Sequence, residues 1–216
     1  FEKENVFNIE TENGWTSTNE RIEFPKEPGK EWTDYVELDR MEISCGEAPY
    51  ITSRYDTVSG EFINVPDRIG LLDRKLRVIS ENTNNEDDWL KWAYRAVQSI
   101  YGFDWQGDNL LIARENILFD VLEYFENKFQ KKIETSHLIE FAKIISWNIW
   151  QMDGIKFVVP ESCSESVIEQ TLFGEEIISK ECEGCKKGNN FNHNGIYCKI
   201  MDWKTHKTIR YVDLLR

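Results

Sequence analysis

Three short apolar runs, each followed by a turn that contains glycine or aspartate, alternate with long helical patterns and constrain this chain more than any other feature. The runs are "MEISCG" at 41–46, "SIYGFD" at 99–104 and "SWNIWQMDG" at 146–154. Strands that are separated by helices cannot be joined by tight hairpins, and they favour a parallel arrangement. The spacing therefore predicts an α/β fold with an open, doubly wound parallel sheet.

Between and after these runs, apolar residues recur at the three- and four-residue spacing of amphipathic helices. Helices are predicted over 73–82, from 89 to the second apolar run, over 108–129 and over 136–145. Asp108 is placed to cap the longest of them. These elements assign residues 1–160 to one domain, which begins with an irregular segment over 1–34, and residues 161–216 to a second, smaller one.

The second domain is predicted to be a small metal-binding module that ends in a β-hairpin. Four of the five cysteines fall here, and Cys182 and Cys185 have the two-residue spacing that lets two thiolates face one ion. Cys163 and Cys198 complete a tetrahedral set, so we expect a structural Zn²⁺. His193 is an alternative ligand in place of Cys163, and reduced thiols without a metal are the remaining alternative.

Charge and composition restrict the partners and the location. A formal net charge of −13 opposes direct binding of a nucleic-acid backbone by this chain, because phosphate contacts need clustered Lys and Arg. The sequence shows no secretory leader and no run of 18 apolar residues, so we expect no membrane association and a cytoplasmic location. In that compartment the odd number of cysteines favours metal binding over a disulfide framework.

The turn after each apolar run lies where a sheet of this type binds ligands. In doubly wound sheets a glycine turn lets the backbone approach a cofactor, and a carboxylate at the next strand accepts bonds from ribose hydroxyls. The successive turns contain Cys45-Gly46, Asp104-Trp105 and Asp153-Gly154. Each pair also has an ordinary structural interpretation, as a tight turn, a helix cap with a core aromatic, and a β-turn.

Taken together, the three motifs resemble those of the amino-methyltransferases of DNA restriction and modification systems, in particular the adenine-N6 enzymes. The first motif, "EISCGEAPY", keeps the family's acidic, cysteine-glycine and aromatic positions at Glu42, Cys45, Gly46, Glu47 and Tyr50. It departs from the family at Ala48, where a second glycine is usual. The second motif is similar to the family's strand end at Asp104, followed by "AREN" at 113–116.

The resemblance covers roughly residues 40–160 and implies a Rossmann-like domain that binds S-adenosylmethionine. By this match, Asp104 would accept both ribose hydroxyls, Trp105 would lie against the adenine face, and Asp153 would contact the adenine amino group. The first-motif residues would bind the same cofactor. The implied reaction is methyl transfer from S-adenosylmethionine to an adenine that is flipped out of DNA.

The family's catalytic loop, Asn/Asp-Pro-Pro-Tyr/Phe, does not occur, since the chain contains no Pro-Pro pair. We therefore expect the cofactor-binding part of a longer enzyme, which contacts DNA and a protein partner or restriction subunit through regions outside this chain. The alternative is a catalytically inactive methyltransferase-like module that binds protein or nucleic-acid partners, which the eight tryptophans favour. A different nucleotide binder on the same sheet is a third hypothesis, although no Gly-x-Gly-x-x-Gly run is present.

Overall fold

The computed structural model describes residues 7–12, 14–18, 20–163, 165–171, 174–180 and 182–216. The strands are β1 (Asn8–Thr11), β2 (Gly14–Ser17), β3 (Arg40–Ile43), β4 (Ile100–Asp104), β5 (Ile149–Gln151), β6 (Glu165–Thr171), β7 (Gly174–Lys180), β8 (Lys199–Asp202) and β9 (Lys207–Arg210). The helices are α1 (Trp32–Glu37), α2 (Leu71–Asn82), α3 (Glu86–Gln98), α4 (Gly107–Phe129), α5 (Thr135–Asn148) and α6 (Glu183–Lys187). Two short 3-10 helices span Val65–Asp67 and Tyr211–Leu215.

A parallel sheet with the strand order β3-β4-β5 forms the centre of the molecule. Helices α2 and α3 connect the first two strands, and α4 and α5 connect the second and third. Glu42 is paired with Gly102, and Asp104 with Gln151, so the three strands end near one another. The prediction of a parallel α/β arrangement from alternating strand and helix patterns is confirmed.

The two faces of this sheet are covered differently. Ile100 and Ile149 point to the face that packs against the buried sides of helices α2 to α5. Phe103 and Met152 belong to a second apolar cluster with Tyr211 and other residues of the C-terminal part of the chain. In the described part of the chain, the second face is therefore covered by the β8–β9 hairpin and the 3-10 helix after it, and not by α-helices.

The helices begin and end where local chemistry supports them. The Asn85 side chain accepts a hydrogen bond from the Asp88 backbone N–H at 2.9 Å and caps α3. Gln106 occupies the cap position of α4, so the prediction that Asp108 caps this helix is wrong. Asp108 lies inside the first turn, where a carboxylate still interacts favourably with the helix dipole.

The hairpins were harder to predict than the helices. The segment over 1–34 that we expected to be irregular contains the antiparallel pair β1–β2 and the start of the short helix α1. The alternation of apolar and polar residues around Ser59-Gly60 predicts a hairpin, but the structure has only a tight turn with a single bridge between Tyr55 and Phe62. The C-terminal hairpin is confirmed as β8–β9.

A search of the described helices for a membrane span gives a negative result. None of them combines the length and the apolar character that crossing a bilayer requires. The longest helix, α4, has polar residues on its buried side as well as on its exposed side.

A substitution of Gly70 by Ala is expected to destabilise the fold. Gly70 precedes α2, and a β-carbon at this position would lie 2.6 Å from the Ile51 carbonyl oxygen, which is backbone and cannot move aside. We expect the free energy of unfolding to fall by about 2 kcal/mol in urea titrations, as for other overpacked sites. Gly107→Ala is the matched control, because its nearest contacts would lie at 3.8 Å. An equal loss in both variants would contradict this interpretation.

Candidate functional site

A compact cluster of metal-ligating side chains lies in the C-terminal part of the chain. The ligand atoms of Cys163, Cys182, Cys185 and His193 all lie within 4.8 Å of one another. The Nδ1 atom of His193 is 3.7, 3.5 and 3.6 Å from the sulfurs of Cys163, Cys182 and Cys185, respectively. A tetrahedral Zn²⁺ with Zn–S bonds of about 2.3 Å and a Zn–N bond of about 2.0 Å separates these atoms by roughly 3.5 Å. The cluster therefore fits a zinc ion.

Local turns hold the ligands in this geometry. Cys182 precedes α6, and its sulfur accepts a hydrogen bond from the Asn194 backbone N–H at 3.3 Å. Gly184 packs closely against the loop that contains His193. A β-carbon on Gly184 would lie 2.7 Å from the backbone nitrogen of His193. The other ring nitrogen of His193 contacts the Asn190 side-chain oxygen at 3.4 Å, which would orient the ring for binding through Nδ1.

The electrostatics of the cluster also favour a cation. Burial opposes ionisation of Cys182, but hydrogen bonds from the Asn194 and Cys185 backbone and from His193 lower the pKa of its thiol to about 6. Burial and the neighbouring Cys185 raise the pKa of the Cys163 thiol to about 11. Three adjacent thiols cannot all ionise beside one another unless a positive ion compensates their charge. A divalent metal would supply that charge.

Cys198 lies outside this cluster, and the prediction that it is the fourth zinc ligand is corrected by the structure. Its side chain is fully buried in the apolar cluster with Phe103 and Tyr211, and burial raises the pKa of its thiol to about 12. His193 therefore takes the place of Cys198, and not that of Cys163 as the alternative proposed. The backbone of Cys198 holds the residue in this place. Its N–H donates to the Phe157 carbonyl, and its carbonyl accepts from the Tyr211 N–H.

At the predicted cofactor site, the side chain of Asp104 links the end of β4 to the turn after β3. One carboxylate oxygen accepts a hydrogen bond from the Gly46 backbone N–H at 2.9 Å, and the other accepts from the Gln106 backbone N–H at 2.7 Å. The Asn109 side chain also donates to this carboxylate, at 3.3 Å. A carboxylate has about four acceptor positions, so three protein donors leave one for a ligand.

Glu42 has an unsatisfied carboxylate beside this turn. Its Oε2 atom is buried and has no hydrogen-bond partner among the described residues. Burial raises the pKa of the Glu42 carboxyl to about 7. Glu42 and the exposed Tyr50 line a cavity of about 510 Å³, together with Arg74 and the start of α2. The Glu42 side chain therefore borders a space for a group that donates a hydrogen bond or carries a positive charge, while its Oε2 atom is covered from solvent.

The remaining residues of the predicted cofactor site have different surroundings. The exposed Glu47 accepts a hydrogen bond from the Tyr55 hydroxyl, whereas the buried Cys45 is packed in the main core. Trp105 is 47% exposed, so its ring is free to stack against a ligand. Asp153 is buried and accepts bonds from two backbone N–H groups of its own turn, Ile155 at 2.8 Å and Lys156 at 3.0 Å. These contacts correspond to the β-turn interpretation of Asp153.

The turn after β5 nevertheless contacts the ends of β3 and β4. The Met152 backbone N–H donates to the Asp104 carbonyl at 2.9 Å. A β-carbon on Gly154 would lie 2.9 Å from the side chain of Ile43 at the end of β3. The structure thus places the three turns at one end of the sheet, with the carboxylates of Glu42 and Asp104 on the same sheet face.

The backbone of the first turn has an unusual conformation. Ser44, Gly46 and Ala48 have φ angles of 68°, 55° and 67°, all in the left-handed region. Ala48, at the position where the motif that this turn resembles has a second glycine, therefore has the backbone conformation that a glycine would adopt most easily. An alanine at this position is compatible with a glycine-type turn.

Sequence patterns assigned no role to Asn116, the last residue of the "AREN" motif, although it contacts this turn. Asn116 in α4 donates a hydrogen bond from its side chain to the Glu47 carbonyl at 3.0 Å. Together with Asp120 and Glu123 it forms a polar row at the spacing i, i+4 and i+7, which is the signal that could have revealed it. A polar row of this kind is usually interpreted as the solvated face of a helix.

Comparison of the chain with protein-family models, with curated proteins and with solved structures finds no significant match. No activity is therefore transferred to it from another protein. The geometry of the metal cluster and of the three strand ends is the basis on which its function is inferred.

We expect the protein to contain about one zinc ion per chain when it is purified without added metal, because three thiols and one imidazole fill a tetrahedral site. Cys182→Ser and Cys185→Ser should each lose most of this metal in elemental analysis. Cys198→Ala is the matched control and should keep it, since this sulfur lies in the apolar cluster. Loss of the metal in the Cys198 variant alone would show that the ligand set is wrong.

Proposed function

We propose that this chain is the cofactor-binding part of an S-adenosylmethionine-dependent DNA adenine-N6 methyltransferase of a restriction-modification system. The observation that carries the proposal is the 2.9 Å hydrogen bond from the Gly46 N–H to Asp104. It brings the glycine turn of one parallel strand and the carboxylate of the next to a single point, which is where nucleotide-type cofactors bind in sheets of this kind. The finer assignment to a Rossmann-like methyltransferase sheet is part of the proposal, although the second face of the described sheet is covered by the β8–β9 hairpin and not by the second helical layer of a doubly wound sheet.

The buried oxygen of Glu42 supports the same proposal from an independent direction. A buried carboxylate oxygen without a donor is unfavourable, and it is expected to be satisfied when a ligand binds. S-adenosylmethionine carries an amino group that is protonated near neutral pH and a permanently charged sulfonium. The Glu42 carboxylate would accept a hydrogen bond from the former or interact with the charge of the latter.

The other residues have compatible roles in this proposal. Asp104 would use its remaining acceptor position for a ribose hydroxyl while it continues to hold Gly46. Trp105, which is half-exposed, would stack on the adenine ring of the cofactor. Asp153 would contribute through the backbone of its turn, because its side chain already accepts hydrogen bonds from two backbone N–H groups. The cofactor supplies an electrophilic methyl group, and these residues bind and orient it.

The metal cluster has a structural role in this proposal. Four protein ligands close a tetrahedral zinc site and leave no open position for a substrate or a water molecule. Contact with DNA and with a protein partner or restriction subunit is assigned to regions outside this chain, since the acidic surface does not suit a phosphate backbone.

A second hypothesis is a catalytically inactive module of the same type that binds a protein or nucleic-acid partner. It is favoured by Met41 and Ile43, which are 44% and 49% exposed at the edge of the sheet. In the described residues, β3 is paired only with β4. The two hypotheses differ in an observable way, because only the enzyme requires binding of the cofactor and transfer of its methyl group when the rest of the enzyme is present.

We expect calorimetry to show micromolar binding of S-adenosylmethionine or of its demethylated product. Asp104→Ala should weaken it at least about tenfold, an order of magnitude typical of losing a buried charged acceptor. Asp202→Ala is the control, since Asp202 lies in the β8–β9 hairpin away from the strand ends. The absence of both heat and thermal stabilisation with either ligand would overturn the proposal.

The pKa of Glu42 predicts a pH dependence of the same binding. The carboxyl is protonated below pH 7, so affinity for the cationic cofactor should rise roughly fivefold between pH 6 and pH 7.5, as the carboxylate forms. Glu42→Gln should bind about tenfold more weakly at pH 7.5 and should show a flat profile over this range. An unchanged profile in the variant would exclude Glu42 from the site.

A further inference from the structure

The turn that ends β3 needs support from its surroundings. Ser44 and Ala48 are not glycines, yet both have left-handed backbone conformations. Such residues cost roughly 1 kcal/mol or more each, and they persist only where neighbouring groups hold them. The Asp104 carboxylate holds the turn at Gly46. A second contact is needed further along, where the chain leaves the sheet.

Asn116 supplies this second contact. Its side chain is 7% exposed and lies midway along α4. The amide NH₂ donates to the Glu47 carbonyl at 3.0 Å, while the amide oxygen accepts from the Arg54 guanidinium at 3.0 Å. The contact uses both ends of the amide, so neither an apolar side chain nor a carboxylate of the same size can replace it completely.

Arg54 is itself held in place from several sides. Two of its nitrogens contact Glu123, and its guanidinium lies 5.1 Å from the ring centre of Phe119. Glu123 also binds Arg68 at 2.6 Å, and Arg68 binds the buried Asp120 at 2.9 Å. The guanidinium that orients Asn116 is therefore part of a continuous, largely buried ionic network.

The network ends at a pair of buried carboxyls. Burial raises the pKa of both Asp73 and Asp120, and the two groups interact directly, so we expect them to share a proton at neutral pH. Asp73 accepts bonds from the Ser53 backbone N–H at 2.7 Å and from the Gly70 N–H at 2.8 Å. Since Ser53 directly precedes Arg54 in the chain, the network forms a closed loop.

Stability alone does not account for these polar groups. Buried ion pairs lose much of their favourable energy to desolvation, and well-packed apolar side chains often stabilise a core equally well. Asn116, Asp120 and Glu123 occupy one face of α4, where packing would favour Leu or Ile. What this face provides instead is a fixed position for the Glu47 carbonyl.

We infer that the polar face of α4 fixes the geometry of the cofactor turn, with Asn116 as the positioning residue and Arg54 as its support. This inference rests on the proposed function, because the turn that it positions is the one assigned to S-adenosylmethionine. Asn116 acts through the backbone of Glu47 and does not itself contact the cofactor.

Asn116→Asp tests the inference with little change in shape. The carboxylate can still accept from Arg54, but it can no longer donate to the Glu47 carbonyl. We expect the dissociation constant for S-adenosylmethionine to rise about tenfold, which corresponds to the loss of one well-placed hydrogen bond. We also expect backbone hydrogen exchange at Gly46 and Ala48 to become about tenfold faster in the ligand-free protein, because their N–H bonds lie within this turn.

Asn148→Asp is the matched control. Asn148 is 1% exposed and donates to the carbonyls of Val97, Gln98 and Ile100 at the opposite end of the sheet. This variant should lose a similar or larger amount of unfolding free energy without a change in cofactor affinity or in exchange at the turn. Equal effects of both variants on affinity and exchange would show a general loss of stability and would overturn the inference.

Hydrogen exchange separates this inference from the proposed function. If the unmodified protein binds no S-adenosylmethionine, the proposed function fails, and faster exchange at Gly46 and Ala48 in Asn116→Asp still supports the positioning of the turn. If the unmodified protein binds the cofactor and Asn116→Asp changes neither affinity nor exchange, the proposed function stands and the positioning role of Asn116 is refuted.

Discussion

The hydrogen bond between the Gly46 N–H and the Asp104 carboxylate is the contact on which the candidate cofactor site depends. Parallel neighbours end at the same edge of a sheet, but their ends still diverge into separate loops. Here the Asp104 carboxylate at the end of β4 accepts a hydrogen bond from the turn after β3 and holds the two strand ends together. The cavity beside Glu42 adjoins this turn and is lined by the loop after β3 and the start of α2.

Local sequence patterns predicted the long helices well and the N-terminal hairpin poorly. Helix α4 spans 23 residues, so its apolar spacing is repeated often enough to be recognised. The strands β1 and β2 have four residues each, and their pairing depends on tertiary contacts. Cys198 illustrates a further difficulty, because a cysteine suits a metal site and an apolar core equally well, and only the fold decides between them.

The motifs located the strand ends but not the groups that hold them. Cys45, Gly46 and Asp104 could be identified because a strand followed by a turn is visible in the sequence. Asn116 lies in the "AREN" motif, but its contacts could not be predicted, because its partners Glu47 and Arg54 lie more than sixty residues away. His193 could be named from the sequence only as an alternative ligand, because its place in the set follows from the path of the loop after α6.

The bridge between Val158 and Tyr197 gives the metal cluster a connection to the sheet. Cys163 follows one side of this bridge and His193 precedes the other, while Cys198 next to it is anchored in the second face of the sheet. An ion that clamps the two loops would thereby also secure the hairpin cover over Phe103 and Met152. In a cell that is short of zinc, this cover would open more often, and proteolysis of the open form would lower the amount of protein.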